Sequence, residues 1–288
     1  MNMKSKYLLA AAVIVVVLAG GGYWWWTMSA PAAKPGPAPQ PVPAAVQPNV
    51  PAAPVPAAAQ PPAAANKVVL AEDPKLGKYL TDNNGRALYA FAKEVGGQTA
   101  CAGKCLDVWP VFYLATVDIG PGMDAPDFTT ITRPDGAKQT SYYGWPLYYY
   151  AGDAAAGDVK GEGFNKLWFV AKPDYTVVFA NKDNVNFLVD SDTNHTLYRF
   201  SKDSPDVSTC AGVCAQNWPA FYVDKIVAPS FIDAARLGSF VRPDKAGQTT
   251  FDRLPLYHFV QDKAPGDLTG QGVNGFWSTV DPLAPPAP

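Results

Sequence analysis

An ungapped internal duplication constrains this chain more than any other feature. Cys101-Ala-Gly-Lys-Cys105, followed by Trp109-Pro110, returns as Cys210-Ala-Gly-Val-Cys214 followed by Trp218-Pro219, an offset of 109 residues. The same offset carries Arg133-Pro134-Asp135 onto Arg242-Pro243-Asp244, Gln139-Thr140 onto Gln248-Thr249, and Pro146-Leu147-Tyr148 onto Pro255-Leu256-Tyr257. Gly157-Asp158 pairs in this way with Gly266-Asp267, and Trp168 with Trp277. A repeat of this kind means that one supersecondary unit is used more than once.

Each copy divides again. Leu88-Tyr89-Ala-Phe91 and Glu94 parallel Leu147-Tyr148-Tyr-Tyr150 and Asp153, and each acid stands 15 residues before a Trp, at 109 and 168. The second copy repeats the pattern with Tyr198, Phe200, Asp203 and Trp218, then with Tyr257, Phe259, Asp262 and Trp277. The folded part therefore consists of four quarter-units.

Inside a quarter the signal is β. Tyr-x-aromatic stretches alternate with period two and are rich in β-formers, and Asn83-Asn84-Gly85 is a hairpin turn signal. Four short strands are expected per quarter: 68–70, 78–81, 87–91 and 109–114 in the first, 129–132, 139–142, 147–150 and 167–171 in the second. The third takes 176–180, 186–189, 196–200 and 218–223, and the fourth 239–241, 248–251, 256–260 and 276–280. Four strands in about 50 residues is the spacing of a propeller blade. The expected fold is all-β, a four-bladed β-propeller built from a duplicated two-blade unit, with blades 1 and 2 in residues 67–174 and blades 3 and 4 in 175–283. The alternative is two tandem β-sandwich or barrel domains.

Ahead of the repeats, residues 7–26 read YLLAAAVIVVVLAGGGYWWW without a charge. Twenty helical residues span about 30 Å, the thickness of a bilayer's hydrocarbon core. Lys4 and Lys6, in the short n-region 1–6, place the N-terminus in the cytoplasm, and Tyr23 to Trp26 suit the far interface. One transmembrane signal anchor is the expectation, with a cleaved signal peptide as the alternative. Residues 27–66 are a linker, almost entirely Ala, Pro, Gln and Val from position 30 onward. Such a composition buries too little to fold and favours extended segments. A Pro-rich tail, 284–288, ends the chain. The bulk of the protein is thus expected on the periplasmic or extracellular side of the cytoplasmic membrane. A net charge of −2 leaves no field for gathering nucleic acid.

At its tyrosines the chain resembles a bacterial family of secreted-repeat lipoproteins marked by a Y-x-[FWY]-x-x-D motif. The motif stands at Tyr148, Tyr150 and Asp153, at Tyr198, Phe200 and Asp203, and at Tyr257, Phe259 and Asp262. Tyr89 and Phe91 lead instead to Glu94, and Lys245 replaces a family glycine. The C-x-G-x-C…W-P and R-x-D-G-x-x-Q elements match as well, at Cys101 to Pro110 and Arg133 to Gln139. The resemblance implies a secreted β-repeat whose members are usually lipid-anchored, and it implies no particular chemistry.

Paired cysteines outside the cytoplasm oxidise, so Cys101–Cys105 and Cys210–Cys214 are expected as local disulfides. Copper is the competing use, because C-x-x-x-C followed by His and then Met would make a binuclear centre. Trp109 and Trp218 occupy the His place, and Phe112 and Phe221 the Met place. Non-covalent haem would need an axial ligand, for which His195, His258 and Met123 are the candidates. The motif acids are read as caps of backbone N–H groups in the following turn. Asp153 with Asp158, and Asp262 with Asp267, form the candidate calcium loops. The four Trp of the repeats are read as packing residues.

No nucleophile elbow, phosphate loop or catalytic triad emerges, so no enzyme is expected. The sequence points first to a membrane-tethered binding or scaffolding module with an unidentified envelope ligand or protein partner. A redox accessory protein holding haem or copper and a cell-envelope glycan binder are the alternatives.

Overall fold

A computed structural model describes residues 67–286. The proposed anchor and the whole linker lie outside them, as do the last two residues of the tail. Among the described residues no helix is long and apolar enough to cross a membrane.

Among the described residues the chain is all-β in small sheets, with two short α-helices. In the first half, β1 (Val68–Asp73) and β2 (Gly77–Asp82) form a hairpin. Its turn is held by Asp73, whose side chain accepts the Lys75 and Leu76 N–H groups. Then come β3 (Tyr89–Phe91), helix α1 (Cys105–Val108), the three-stranded set β4 (Phe128–Thr132), β5 (Lys138–Tyr142) and β6 (Trp145–Pro146), and finally β7 (Trp168–Val170). The second half repeats the order: β8 (Val177–Lys182), β9 (Val185–Asp190), β10 (Tyr198–Phe200), α2 (Val213–Asn217), β11 (Leu237–Val241), β12 (Gly247–Phe251), β13 (Leu254–Pro255) and β14 (Trp277–Thr279). The β8–β9 turn places Asp183 and Asn184 at φ 51° and 63°, the left-handed pair that a tight hairpin requires. Lys245 takes φ 68° where the first half has Gly136 at 84°, so the lost glycine leaves the same turn on a less suited residue.

The quarters exchange their last strands. The strand ending the second quarter, β7, pairs with β3 of the first, Tyr89 opposite Val170 and Phe91 opposite Trp168. The segment ending the first quarter crosses the other way: the Phe112 N–H donates to the Leu147 carbonyl at 3.0 Å, and Tyr149 N–H to Pro110 at 2.8 Å. Between the two crossings, Tyr89 and Tyr148 exchange both backbone hydrogen bonds, at 2.8 and 2.9 Å. The second half does the same through β10 with β14, Phe221 with Leu256, His258 with Pro219, and Tyr198 with Tyr257.

This corrects the strand sets read from sequence. The segments at 109–114, 167–171, 218–223 and 276–280 each serve the neighbouring quarter rather than their own. No closed propeller or barrel forms among the described residues. The ring closure that a propeller needs, 68–70 against 276–280, is absent: β1 pairs with β2, and Val68 meets Ile119 on its other side.

The two halves nevertheless share one core. Ala90, Val95, Trp145 and Phe169 of the first half pack in a single buried cluster with Val177, Phe179, Phe187, Leu188 and Val280 of the second. A side-chain link reinforces the seam: Trp145 Nε1 donates to Asn194 Oδ1 at 2.7 Å, and Asn194 Nδ2 donates to the Tyr143 carbonyl at 2.6 Å. The start of the tail is also held, since Arg236 donates to the carbonyls of Pro282 and Ala284.

The shared cluster couples the halves in unfolding. Phe169→Ala, at a site 2% exposed, should destabilise the protein by about 3–5 kcal/mol while keeping one transition. Denaturant melts followed by tryptophan fluorescence and by circular dichroism should coincide; two separated transitions would show the halves to be independent.

Candidate functional site

Each motif tyrosine reaches the motif acid of its partner quarter. The Tyr89 hydroxyl donates to Asp153 at 2.7 Å and that of Tyr148 to Glu94 at 3.0 Å. Tyr198 donates to Asp262 at 2.8 Å and Tyr257 to Asp203 at 2.6 Å. The acids also cap backbone, as the sequence suggested. Glu94 accepts the Ala100 and Cys101 N–H groups, Asp153 that of Lys160, Asp203 that of Thr209, and Asp262 that of Thr269. Gly161 and Gly270 lie against the rings of Tyr89 and Tyr198, where an added Cβ would stand 2.9 and 2.7 Å from ring atoms. Only glycine permits that approach.

Burial governs the protonation of these groups. It raises the Asp153 and Asp262 carboxyls above their ordinary values, against the hydrogen bonds that favour the charged form. Glu94 is fully buried, and burial pushes it up to about 7 despite the bonds from Cys101, Tyr148 and Ala100. Its Oε2 has no hydrogen-bond partner among the described residues. The four tyrosines are all raised, first by burial.

The disulfides form as expected, with Cα–Cα distances of 5.4 Å for Cys101–Cys105 and 5.2 Å for Cys210–Cys214. Their loops are fastened by residues whose role the sequence did not disclose. Arg133 donates to the Cys101 carbonyl at 2.6 Å, to Gln139 at 2.6 Å and to the Tyr148 hydroxyl at 2.9 Å. Arg242 donates to the Cys210 carbonyl, to Gln248 and to Ser208. The 109-residue recurrence of Arg and Gln was the available signal.

The exchanged strands bring the repeat tryptophans face to face. Trp109 stacks on Trp168, and Trp218 on Trp277, each pair at 3.7 Å and within 2° of parallel. Phe91 and Tyr150 extend the first pair into a four-ring ladder, and Phe200 and Phe259 extend the second.

The ladders differ in what covers them. In the first half Phe164 packs on Trp109 and Tyr150 at 5.7 Å. Its counterpart in the second half is Val273. There a groove of about 520 Å³ opens along the ladder, lined by Trp218, Trp277, Phe276, Asn217, Gln261 and Lys202 among others. That volume lies within the range of ligand pockets, whereas a cavity at the seam, beside Trp145 and Phe169, holds only about 40 Å³. Lys202 is the one charged side chain of the groove wall, and its Nζ lies 4.0 Å over the Phe276 ring.

Of the other candidate residues, Met123 lies in the first half and the two histidines in the second. Met123 packs on a core cluster of the first half. His258, in the second half, sits 3.5 Å from Asp190 and edge-on to Phe221, and burial lowers its imidazole below the usual value. His195 is half-buried in the same half. The copper reading loses its thiolates to the disulfides. In the candidate calcium loops, Asp158 accepts the N–H groups of Ala154 and Ala155 and the Lys160 ammonium, and Asp267 accepts those of Lys263 and Ala264. Among the described residues no three His, Cys, Asp or Glu side chains come together as a metal site.

A disulfide-bearing β-repeat protein is the class that this fold defines. The family described as a secreted repeat of unknown function matches at residues 71–113, 129–172, 188–221 and 238–281, once per quarter. The chain belongs to that family. No curated protein and no solved structure matches it.

Glu94 provides a test of the network. Its folded value lies above the ordinary 4.5, so its contribution to stability is present below pH 4.5 and is lost as the pH rises through about 7. That loss should reach roughly 3 kcal/mol across the window. Glu94→Gln should flatten this part of the stability profile, read from urea melts at a series of pH values. An unchanged slope would mean that Glu94 ionises freely in the folded protein.

Proposed function

We propose that the protein is a membrane-tethered extracytoplasmic binding module whose ligand site is the groove along the second aromatic ladder. In this reading residues 7–26 anchor the chain in the cytoplasmic membrane, residues 27–66 hold the folded body away from it, and one half of the duplicated body is specialised for binding. The observation that carries it is the difference between Phe164 and Val273. Two copies of one scaffold carry the same buried ladder; in the first Phe164 packs against it, and in the second, where Val273 stands, a groove of ligand size runs along it.

The groove wall favours a particular kind of ligand. The faces of Trp218 and Trp277 are taken up within the ladder, so the groove meets ring edges, the electropositive part of an aromatic ring. Asn217, Gln261 and Asn274 add amide groups, and Lys202 adds a positive charge. An elongated ligand rich in hydrogen-bond acceptors, neutral or anionic, suits these walls. A sugar ring seeking an indole face to stack on does not.

Two measurements test the reading. A reporter fused after Pro288 should be active only outside the cytoplasm, with residues 1–30 retained in the mature protein. Titration with soluble envelope saccharides and with acidic peptides should shift amide signals of 200–218 and 259–277. Val273→Phe should abolish the response, and Phe164→Val should open a second site in the first half. Shifts confined to other surfaces would overturn the assignment of the groove.

A further inference from the structure

The tryptophan pairs and the motif tyrosines form one repeated constellation. In the first half Trp109 and Trp168 stack at 3.7 Å, Tyr89 meets Trp109 edge-on at 5.4 Å, and Tyr148 meets Trp168 edge-on at 5.3 Å. In the second half Tyr198 lies 5.5 Å from Trp218 and Tyr257 lies 5.2 Å from Trp277. Each half thus holds the series tyrosine, indole, indole, tyrosine in continuous contact. Each terminal phenol is hydrogen-bonded to a carboxylate at 2.6–3.0 Å.

The chemistry of these groups gives the arrangement a meaning beyond packing. Indoles and phenols are the side chains most readily oxidised by one electron once thiols are excluded, and the four cysteines are tied in disulfides. A stacked indole pair spreads a radical cation over two rings. A phenol gives up its proton when it is oxidised, so it needs a base in hydrogen-bond contact. All four tyrosines have one, and Glu94 retains an unpartnered oxygen in addition.

We propose that each half is a one-electron relay, in which an electron leaves the tryptophan pair for an external oxidant and the electron hole comes to rest on a flanking tyrosine. The oxidant is a strong one-electron acceptor, of the kind represented by a ferryl haem or by photogenerated ruthenium(III). It is reduced by one electron, and the indole pair becomes a radical cation. An electron then passes from the tyrosine ring to the indoles. At the same time the phenolic O–H bond breaks and an O–H bond forms on the paired carboxylate. The product is a neutral tyrosyl radical beside a protonated acid, and a one-electron reductant reverses the sequence. The second half is the point of entry, because Trp218 and Trp277, though buried, line the groove there.

The test uses the full chain with ruthenium tris-bipyridine and persulfate under flash excitation, followed by transient absorption and electron paramagnetic resonance. The expected course is an indole radical cation that decays into a neutral tyrosyl radical, with the second step slowed in heavy water. Tyr198→Phe with Tyr257→Phe keeps the rings and removes the hydroxyls; it should leave the oxidation on indole and reduce the tyrosyl yield several-fold. Tyr113→Phe with Tyr222→Phe, at exposed sites, should change neither. A tyrosyl yield that the first pair of substitutions leaves unchanged, or that disappears with the second, overturns the relay. Spin trapping and mass spectrometry of the unsubstituted chain decide between these outcomes even if the variants fail to fold. Adducts on Tyr198 and Tyr257 support the relay; adducts confined to Tyr113, Tyr222 or tyrosines outside residues 67–286, or no protein radical at all, refute it.

Discussion

The structure depends on the antiparallel contact between the motif tyrosines of paired quarters. Tyr89 and Tyr148 exchange both backbone hydrogen bonds, and so do Tyr198 and Tyr257. A narrowly paired dyad of this kind fixes the register of every strand that crosses it. It sets β7 against β3 and Pro110–Phe112 against Leu147–Tyr149. It also sends each phenol across to the opposite quarter, where a buried acid both receives it and closes the following turn. Burial makes an unpaired hydroxyl or carboxylate costly, so tyrosine and acid each depend on the other. The repeating motif is the record of that mutual requirement.

Around this constant frame the halves have diverged where substitution costs little. Glu94 and Asp203 fill corresponding places, but Glu94 is fully buried beneath Arg133 and Tyr148, while Asp203 is only half-buried and Ser208 joins Tyr257 there. Phe164 and Val273 sit in the same short 3-10 turn, each followed by a left-handed asparagine at φ 53° and 52°. The backbone is preserved and only the cover over the aromatic ladder changes. The same turn thus carries a phenyl ring against the ladder in one half and a smaller valine beside the groove in the other.

Much of this was legible in the chain. The 109-residue offset revealed the duplication, period-two aromatics revealed the strands, and the cysteine spacing with its implied compartment revealed both disulfides. The acids were recognisable as caps of the turns that follow them. The tyrosine partners of those acids were hidden, because they lie 54 or 64 residues away and depend on the exchange. The exchange itself leaves no trace in a repeat: 109–114 and 167–171 occupy equivalent places, with Trp109 and Val111 answering to Trp168 and Val170, so pairing at home and pairing abroad satisfy the same pattern. Four strands form in the second and fourth quarters and three in the first and third, where 109–114 and 218–223 make only isolated bridges, and assigning the last segment to its own quarter was the error. Arg133 and Arg242 were visible as repeats, but their target is a backbone carbonyl, which no side-chain pattern announces.

Strand exchange also bears on how such a chain could have arisen. A lone quarter carries a final strand for which it has no internal partner, and an acid whose tyrosine is missing. Both needs are met at once by a second identical quarter placed about a two-fold axis, since the contacts are reciprocal residue for residue. A symmetric pair of quarters is therefore the smallest arrangement that meets both needs, and each half of this protein holds that pair in one chain. Within one chain the two members need not be identical, so a surface that would be the same twice in a homodimer is free to differ.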